Sequence, residues 1–268
     1  MNEATKQKMM ELRELLKAYD TAEGDEPSDQ AQGIAQPPMI KASNGLKRIP
    51  LTKEYDQVIQ NNDFLSLINN RSSKRKYTEQ PITLDELSFL LWSTQGVKQV
   101  VGKSRQATLR NVPSAGARHP FETYLLVSRV EGLEPGLYHY LALDHELAFI
   151  QGIENISDRI TEAACGQVFL GNAAVTFIWS VIPYRSEWRY SMDAHKYILL
   201  DAGHVCQNLY LACEAIGCGT CAIGAYDQAL LDELIGFNSK PSYEIDNEFV
   251  IYLAPVGKVE ENNRRHSL

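Results

Sequence analysis

Arg71, Ser73 and Arg75 alternate within the run Arg71-Ser72-Ser73-Lys74-Arg75-Lys76-Tyr77. In an extended segment, residues two apart point to the same side. Two guanidinium forks and a hydroxyl would then converge on one phosphate-sized anion. The competing reading is a solvated basic turn. The cluster stands out because the chain is acidic, with 34 Asp and Glu against 26 Lys and Arg and a net charge of -8. That balance argues against a nucleic-acid partner, which needs a basic face to displace counterions.

Cys218-Gly-Thr-Cys221 has the spacing of a thiol redox pair or half a zinc site. A redox pair should open a helix, whose N-terminus lowers the thiol pKa, whereas this one follows a helical pattern. Cys206 and Cys213 lie too far apart for a second knuckle. The cysteines therefore read as small apolar structural residues, and no metal site is expected. The six histidines are scattered without a Ser-His-Asp arrangement, and His204, inside a helical pattern, reads as a hydrogen-bonded core residue. No G-x-G-x-x-G or G-x-x-x-x-G-K-[ST] run supports a Rossmann or P-loop site. An odd count of five cysteines suits reduced thiols. With no apolar run of about 18 residues and no secretion signal, the expectation is a cytoplasmic protein without a membrane partner.

The elements that must position these residues follow from periodicity. At 268 residues and 44% hydrophobic, the chain can bury a full core. Met1 to Asp20 spaces its apolar residues as an amphipathic helix. Thr21 to Asn44, with Pro37-Pro38, reads as a linker or loosely held arm. Asp63 is placed to cap a short helix leading into the Arg71 cluster. Thr83-Leu-Asp-Glu86 has capping-box spacing ahead of Leu87 to Trp92. Gly96 to Pro120 is polar and broken by Pro113, Gly116 and Pro120, an irregular loop. Strands are expected over Glu122 to Val130, Gly136 to Leu141, Glu146 to Ile150, Ala173 to Val181 and Asn247 to Val256. Asp193 to Ile216 is apolar on nearly every face and predicts a buried central helix ended by Gly217. A further helix is expected to begin near Asp227.

In combination the motifs become specific. Arg71-x-Ser73-x-Arg75-x-Tyr77, Arg110-x-x-Pro113-Ser114-Ala115-Gly116-Ala117, Leu200-Asp-Ala-Gly-His-x-x-Gln207-Asn208-Leu209, Ala222-Ile223-Gly224-Ala225-Tyr226-Asp227 and Pro255-Val-Gly257 together resemble the FMN-dependent nitroreductase family. Within it the chain looks most like the SagB-type dehydrogenase branch, which includes azoline oxidases of peptide natural-product biosynthesis. The resemblance implies an α+β fold, with a central mixed, mostly antiparallel sheet flanked by helices, in an intertwined homodimer with FMN at the subunit interface. It implies an arm over residues 1–60 and an FMN-binding domain over 61–268.

By the same resemblance, Arg71, Ser72, Ser73 and Arg75 take the FMN phosphate and ribityl chain, and Arg264 or Arg265 reaches the phosphate from the C-terminus. Pro113, Ser114, Ala115 and Gly116 of the second subunit lie against the isoalloxazine, with Gly116 permitting close approach. Arg110 stands near the N1/O2 edge, and Ile223, Gly224 and Ala225 present amides to N5 and O4. Lys196 and Tyr197 fall where the branch carries a Lys-Tyr pair for proton removal; the alternative is a salt-bridged Lys beside a core Tyr. The implied function is hydride exchange between flavin N5 and NAD(P)H or a small-molecule or peptide-derived substrate. The alternatives are an azoline-type heterocycle dehydrogenase and a non-catalytic flavin-binding or sensing protein.

Overall fold

Every residue of strands β4 (Phe121–Val127) and β7 (Val175–Val181) is buried. Their near-continuous apolar runs require a sheet covered on both faces. The computed structural model describes residues 1–17, 26–43, 45–103, 106–237 and 244–260. In chain order it places α1 (Glu3–Glu14), β1 (Lys47–Pro50), α2 (Phe64–Asn70), α3 (Leu84–Gln95), β2 (Val97–Val101), β3 (Ala107–Arg110), β4, β5 (Gly136–Leu141) and β6 (Glu146–Gln151). These are followed by α4 (Ile156–Ala163), β7, α5 (Tyr184–Tyr190), α6 (Ala194–Ala215), β8 (Cys218–Thr220), α7 (Gln228–Leu234) and β9 (Phe249–Lys258). The main sheet runs β1-β6-β5-β4-β7-β9-β8. Its ladders are antiparallel, and parallel pairing occurs at the isolated bridge Ile82–Val130.

Alternation along the strands divides the core in two. Leu125, Val127, Phe177 and Trp179 face Leu87, Leu90 and Leu91 of α3 and Val205 and Leu209 of α6. Tyr124, Leu126 and Ile178 face the other way, toward Ile160 of α4 and Leu231 and Leu234 of α7. Truncating a side chain such as Leu125, which is fully buried, costs about 2 to 5 kcal/mol. The helix starts form as their sequences require. Asp63 accepts from the Leu65 and Ser66 amides, and Thr83 and Glu86 close a reciprocal capping box. Glu86 also pairs with Lys258 in the interior, tying α3 to β9.

The helix expected near the N-terminus forms as α1 and, in the single chain, has no buried residue. Three expectations change. The polar stretch after Gly96 is not wholly irregular: Val97–Val101 and Ala107–Arg110 pair as an antiparallel hairpin. The stretch read as a loosely held arm is bonded to the body. Gln30 N donates to Trp188 O, Trp188 Nε1 to Ile34 O, and Tyr184 Oη to Asp29 Oδ2. Lys41 Nζ then pairs with Glu248 at 2.5 Å. Finally, α6 is buried along one side only. Leu199 and Leu200 are 51% and 53% exposed, and Gly203, His204 and Gln207 are exposed with them. His204 is therefore not a core residue in the single chain. Among the described residues, no helix is long and apolar enough to cross a membrane.

Candidate functional site

The chain leaves α2 through Arg71, whose amide bonds to Leu67 O, and runs extended past the end of β8. Lys74 N donates to Thr220 O at 2.9 Å, which fixes the alternation: Lys74 turns inward while Ser73 and Arg75 face out. Tyr210 of α6 organises this group. The Arg71 guanidinium lies 5.3 Å over its ring, Ser73 Oγ is 3.0 Å from its hydroxyl, and that hydroxyl accepts the Ala222 amide at 2.8 Å. Arg75 stands 5.9 Å over Phe169. Ser72 Oγ is buried and has no hydrogen-bond partner among the described residues. Tyr77 anchors the far end by donating to Lys74 O and Pro255 O. A Cβ at Gly257 would come within 2.8 Å of the Tyr77 ring, so the Pro255-Val-Gly257 motif is a seat for Tyr77.

The turn after Ala222 is paired at Ile223 and exposed at the next two residues. Ile223 exchanges both backbone bonds with Leu253, and Ala225 O accepts from Gln167 Nε2. Gly224 and Ala225 are exposed, and a Cβ added at Gly224 would meet nothing within 4 Å.

At the other end of α6, Asp201 holds the Pro113–Gly116 loop, accepting the Ala115 amide at 3.2 Å on each carboxylate oxygen. Ser114 Oγ accepts the His119 amide. Burial raises the Asp201 pKa, against the opposing effect of its bonds to Ser114 and Ala115. Gly116 has φ +55, and a Cβ there would lie 2.5 Å from Tyr190 Oη and 2.9 Å from Arg189 Nε. Its glycine is thus required from inside the subunit, by backbone conformation and by Tyr190. The Tyr190 ring meets Tyr197 edge-on at 4.9 Å. Tyr197 and Lys196 are half-buried, and among the described residues Lys196 enters no ion pair.

The predicted residues therefore gather into two groups. Arg71, Ser72, Ser73 and Arg75 meet the Ile223–Ala225 turn through Tyr210 and Ala222. Pro113 to Gly116 meet Lys196 and Tyr197 through Asp201 and Tyr190. Asp201 and Tyr210 are separated along α6 by about 14 Å at 1.5 Å per residue. Arg110 joins neither group. It bonds Thr108 and Gln95 in the interior and lines a separate cavity of about 230 Å³ with Glu122 and His139. Burial draws its pKa down to about 10 despite the nearby Glu122 carboxylate. Arg264 and Arg265 lie outside the described residues.

The first group fits a phosphorylated flavin. It offers two guanidinium groups, an exposed hydroxyl, a buried hydroxyl lacking a hydrogen-bond partner among the described residues, and an open glycine turn where a flat ring could approach the backbone. Sequence reasoning missed Tyr210, which reads there as one more apolar helix position, and gave no role to Asp201. A carboxylate inside an otherwise apolar helix was the available signal, since such a group must bond something.

The profile of the Nitroreductase family matches residues 68–258. A nitroreductase-family protein of Methanocaldococcus jannaschii is 32% identical over 188 residues, covering 70% of this chain and 87% of that protein. The trifolitoxin-processing protein TfxB of Rhizobium leguminosarum bv. trifolii is 32% identical over 111 residues, covering 40% of this chain and 30% of that protein. Among solved structures, a nitroreductase-family protein of Anabaena variabilis superposes with a TM-score of 0.70 at 21% identity, over 96% of this chain and 47% of that one. The Escherichia coli microcin synthetase McbBCD complex gives 0.57 at 16% identity, over 96% of this chain and 93% of that one. At these identities the structural likeness is one of fold.

Proposed function

The chain belongs to the nitroreductase family, and we propose that it is an FMN-dependent oxidoreductase that works as a homodimer, each flavin held between two subunits. The observation that carries this reading is the division of the site between the two ends of α6. Between them runs the exposed stripe Leu199, Leu200, Gly203, His204 and Gln207. Gly203 lies midway between Lys196 and Tyr210 in sequence, and a Cβ there would meet nothing within 4 Å. A glycine in mid-helix costs about 1 kcal/mol relative to alanine, a cost that close approach of a second helix would offset. An isologous contact about Gly203 reverses one α6 on the other. It brings the Lys196 end of one helix to the Tyr210 end of its mate and completes the site twice.

In this reading Arg71, Ser72, Ser73 and Arg75 would hold the phosphate and ribityl chain, and Gly224 and Ala225 would present amides to the ring. Pro113, Ser114, Ala115 and Gly116 of the second subunit would close the other side. Bound there, FMN supplies the hydride chemistry, with NAD(P)H or an organic substrate as donor. Asp201 keeps the loop in place through the Ala115 amide. Lys196, with Tyr197 beside it, would form the pair that handles the substrate proton. Arg110 remains a buried support beneath the loop.

The experiment is a visible spectrum of the purified protein followed by FMN titration of the apoprotein. Arg71→Ala plus Arg75→Ala should weaken binding by about 3 kcal/mol, the lower end for two charge-assisted bonds because Arg75 is exposed. Unchanged affinity overturns the phosphate assignment. A second, narrower reading is a dehydrogenase of the SagB type acting on a peptide-derived heterocycle. The partial match to a trifolitoxin-processing protein favours it.

A further inference from the structure

A cavity of about 570 Å³ opens beside Gly116, walled by Arg118, Trp188 and Arg189 on the body and by Ser28, Gln30 and Gln36 of the arm. Lying against the loop that closes the proposed flavin site, it is placed to receive the second substrate. Its chemistry is one-sided. Two guanidinium groups line it, no carboxylate does, and among the described residues neither Arg118 nor Arg189 enters an ion pair. Of the acidic residues nearby, Glu187 bonds His195 at 2.9 Å, Asp29 accepts from Tyr184 at 2.6 Å and Glu122 pairs with Arg185 and His139, while Asp193, four residues past Arg189, is not among the described residues that line the cavity.

Arg118 is 7% exposed and lies 5.2 Å over the Trp188 ring. Its Nη2 reaches Gln106 O only at 3.4 Å, and its Nε is buried without a hydrogen-bond partner among the described residues. Burial and, after it, the Arg189 charge lower the Arg118 pKa, so the two cations feel each other. A buried cation without a counter-charge is costly to keep, and Arg118, with the exposed Arg189 as a second cation beside it, asks for an anion. The planar guanidinium fork is suited to bidentate oxyanions.

We infer that Arg118 and Arg189 bind an anionic oxygen group, a carboxylate or a phosphate, on the substrate that meets the flavin, and that the arm forms the outer wall of this pocket. The substrate role rests on the flavin reading above; the anion site itself does not. The cavity is large enough for an aromatic ring carrying such a group, with its remainder directed along Gly116.

The test is calorimetric titration of the purified protein with benzoate and with phenyl phosphate in low-chloride buffer, beside steady-state reduction of nitrobenzene, 4-nitrobenzoate and 4-nitrophenyl phosphate. One anion should bind, and its nitro counterpart should exceed nitrobenzene in kcat/KM by roughly tenfold, as one charge-assisted bond allows. Which anion wins identifies the source. Arg189→Gln, an exposed position that spares the fold, should bring the ratio of kcat/KM toward one and weaken the calorimetric binding; Arg118→Gln should do the same more strongly. Binding of neither anion, or an unchanged ratio in Arg189→Gln, overturns the inference. A colourless protein that still binds benzoate, with the binding lost in Arg189→Gln, upholds the anion site and removes the flavin reading alone.

Discussion

The amide of Ala115 donates to both oxygens of the Asp201 carboxylate at 3.2 Å, so the conformation of a surface loop is set by one helix side chain. Replacing Asp201 by Ala should leave that amide without its acceptor and speed its hydrogen exchange by roughly tenfold or more, with a stability loss of about 1 to 3 kcal/mol. Asp201→Asn retains an acceptor oxygen and should recover much of the protection. Equal exchange at Ala115 in all three proteins would show that the loop is held by something else.

The stripe on α6 makes a prediction about assembly. Leu200→Glu places a charge at the centre of the proposed contact and should yield monomers by light scattering, with flavin affinity falling in parallel. A Leu200→Glu protein that stays dimeric and yellow would contradict the shared site.

Lys196 and Tyr197 distinguish a reductase from a dehydrogenase. Taking hydride from NAD(P)H needs no protein base, whereas dehydrogenating a ring requires a proton to leave as hydride departs. Rapid mixing should therefore show Lys196→Ala sparing flavin reduction by NAD(P)H and slowing reduction by an organic donor by roughly 10²-fold, with a smaller loss in Tyr197→Phe. Equal rates with every donor would leave the pair without a chemical role.

Two buried groups fix the response to acid. Burial, with Arg110 alongside, depresses the His119 pKa to about 3 from 6.5. Glu122, although burial opposes its charge, is held at about 2 by Arg185 and His139. Both folded values lie below the unfolded ones, so each contribution is complete above the unfolded pKa and is lost as pH falls. For His119 the loss begins near pH 6.5 and reaches about 2 kcal/mol by pH 5. For Glu122 it begins near pH 4.5. Denaturant midpoints between pH 7 and 5 should fall in the wild type and stay flatter in His119→Asn; parallel curves would refute the assignment.

What could be read from the sequence was local or strongly periodic. The caps at Asp63 and Thr83 need only neighbours three residues away, and the cores of β4 and β7 announce themselves as apolar runs. The β2–β3 hairpin was missed because its pairing joins a polar stretch to itself, with little apolar alternation to mark it. The attachment of the arm was missed for a different reason. It depends on single bonds from Asp29, Gln30 and Lys41 to residues far along the chain, and no window of sequence contains both partners. At the site, the alternation of Arg71, Ser73 and Arg75 was legible, but its organiser Tyr210 was not, since a phenol on a helix reads as packing until its hydroxyl partners are known. Nor could a motif spacing show that Arg110 turns inward to Gln95.

Those arm contacts also bear on how the protein is made. Asp29 meets Tyr184 across 155 positions, Ile34 meets Trp188 across 154, and Lys41 meets Glu248 across 207. Closing loops of that length is slow and unrewarded until both ends exist. During synthesis Asp29 and Ile34 must wait, undocked, until α5 has followed, and Lys41 until Glu248 has. The arm side of the cavity beside Gly116 thus forms only after α5 exists.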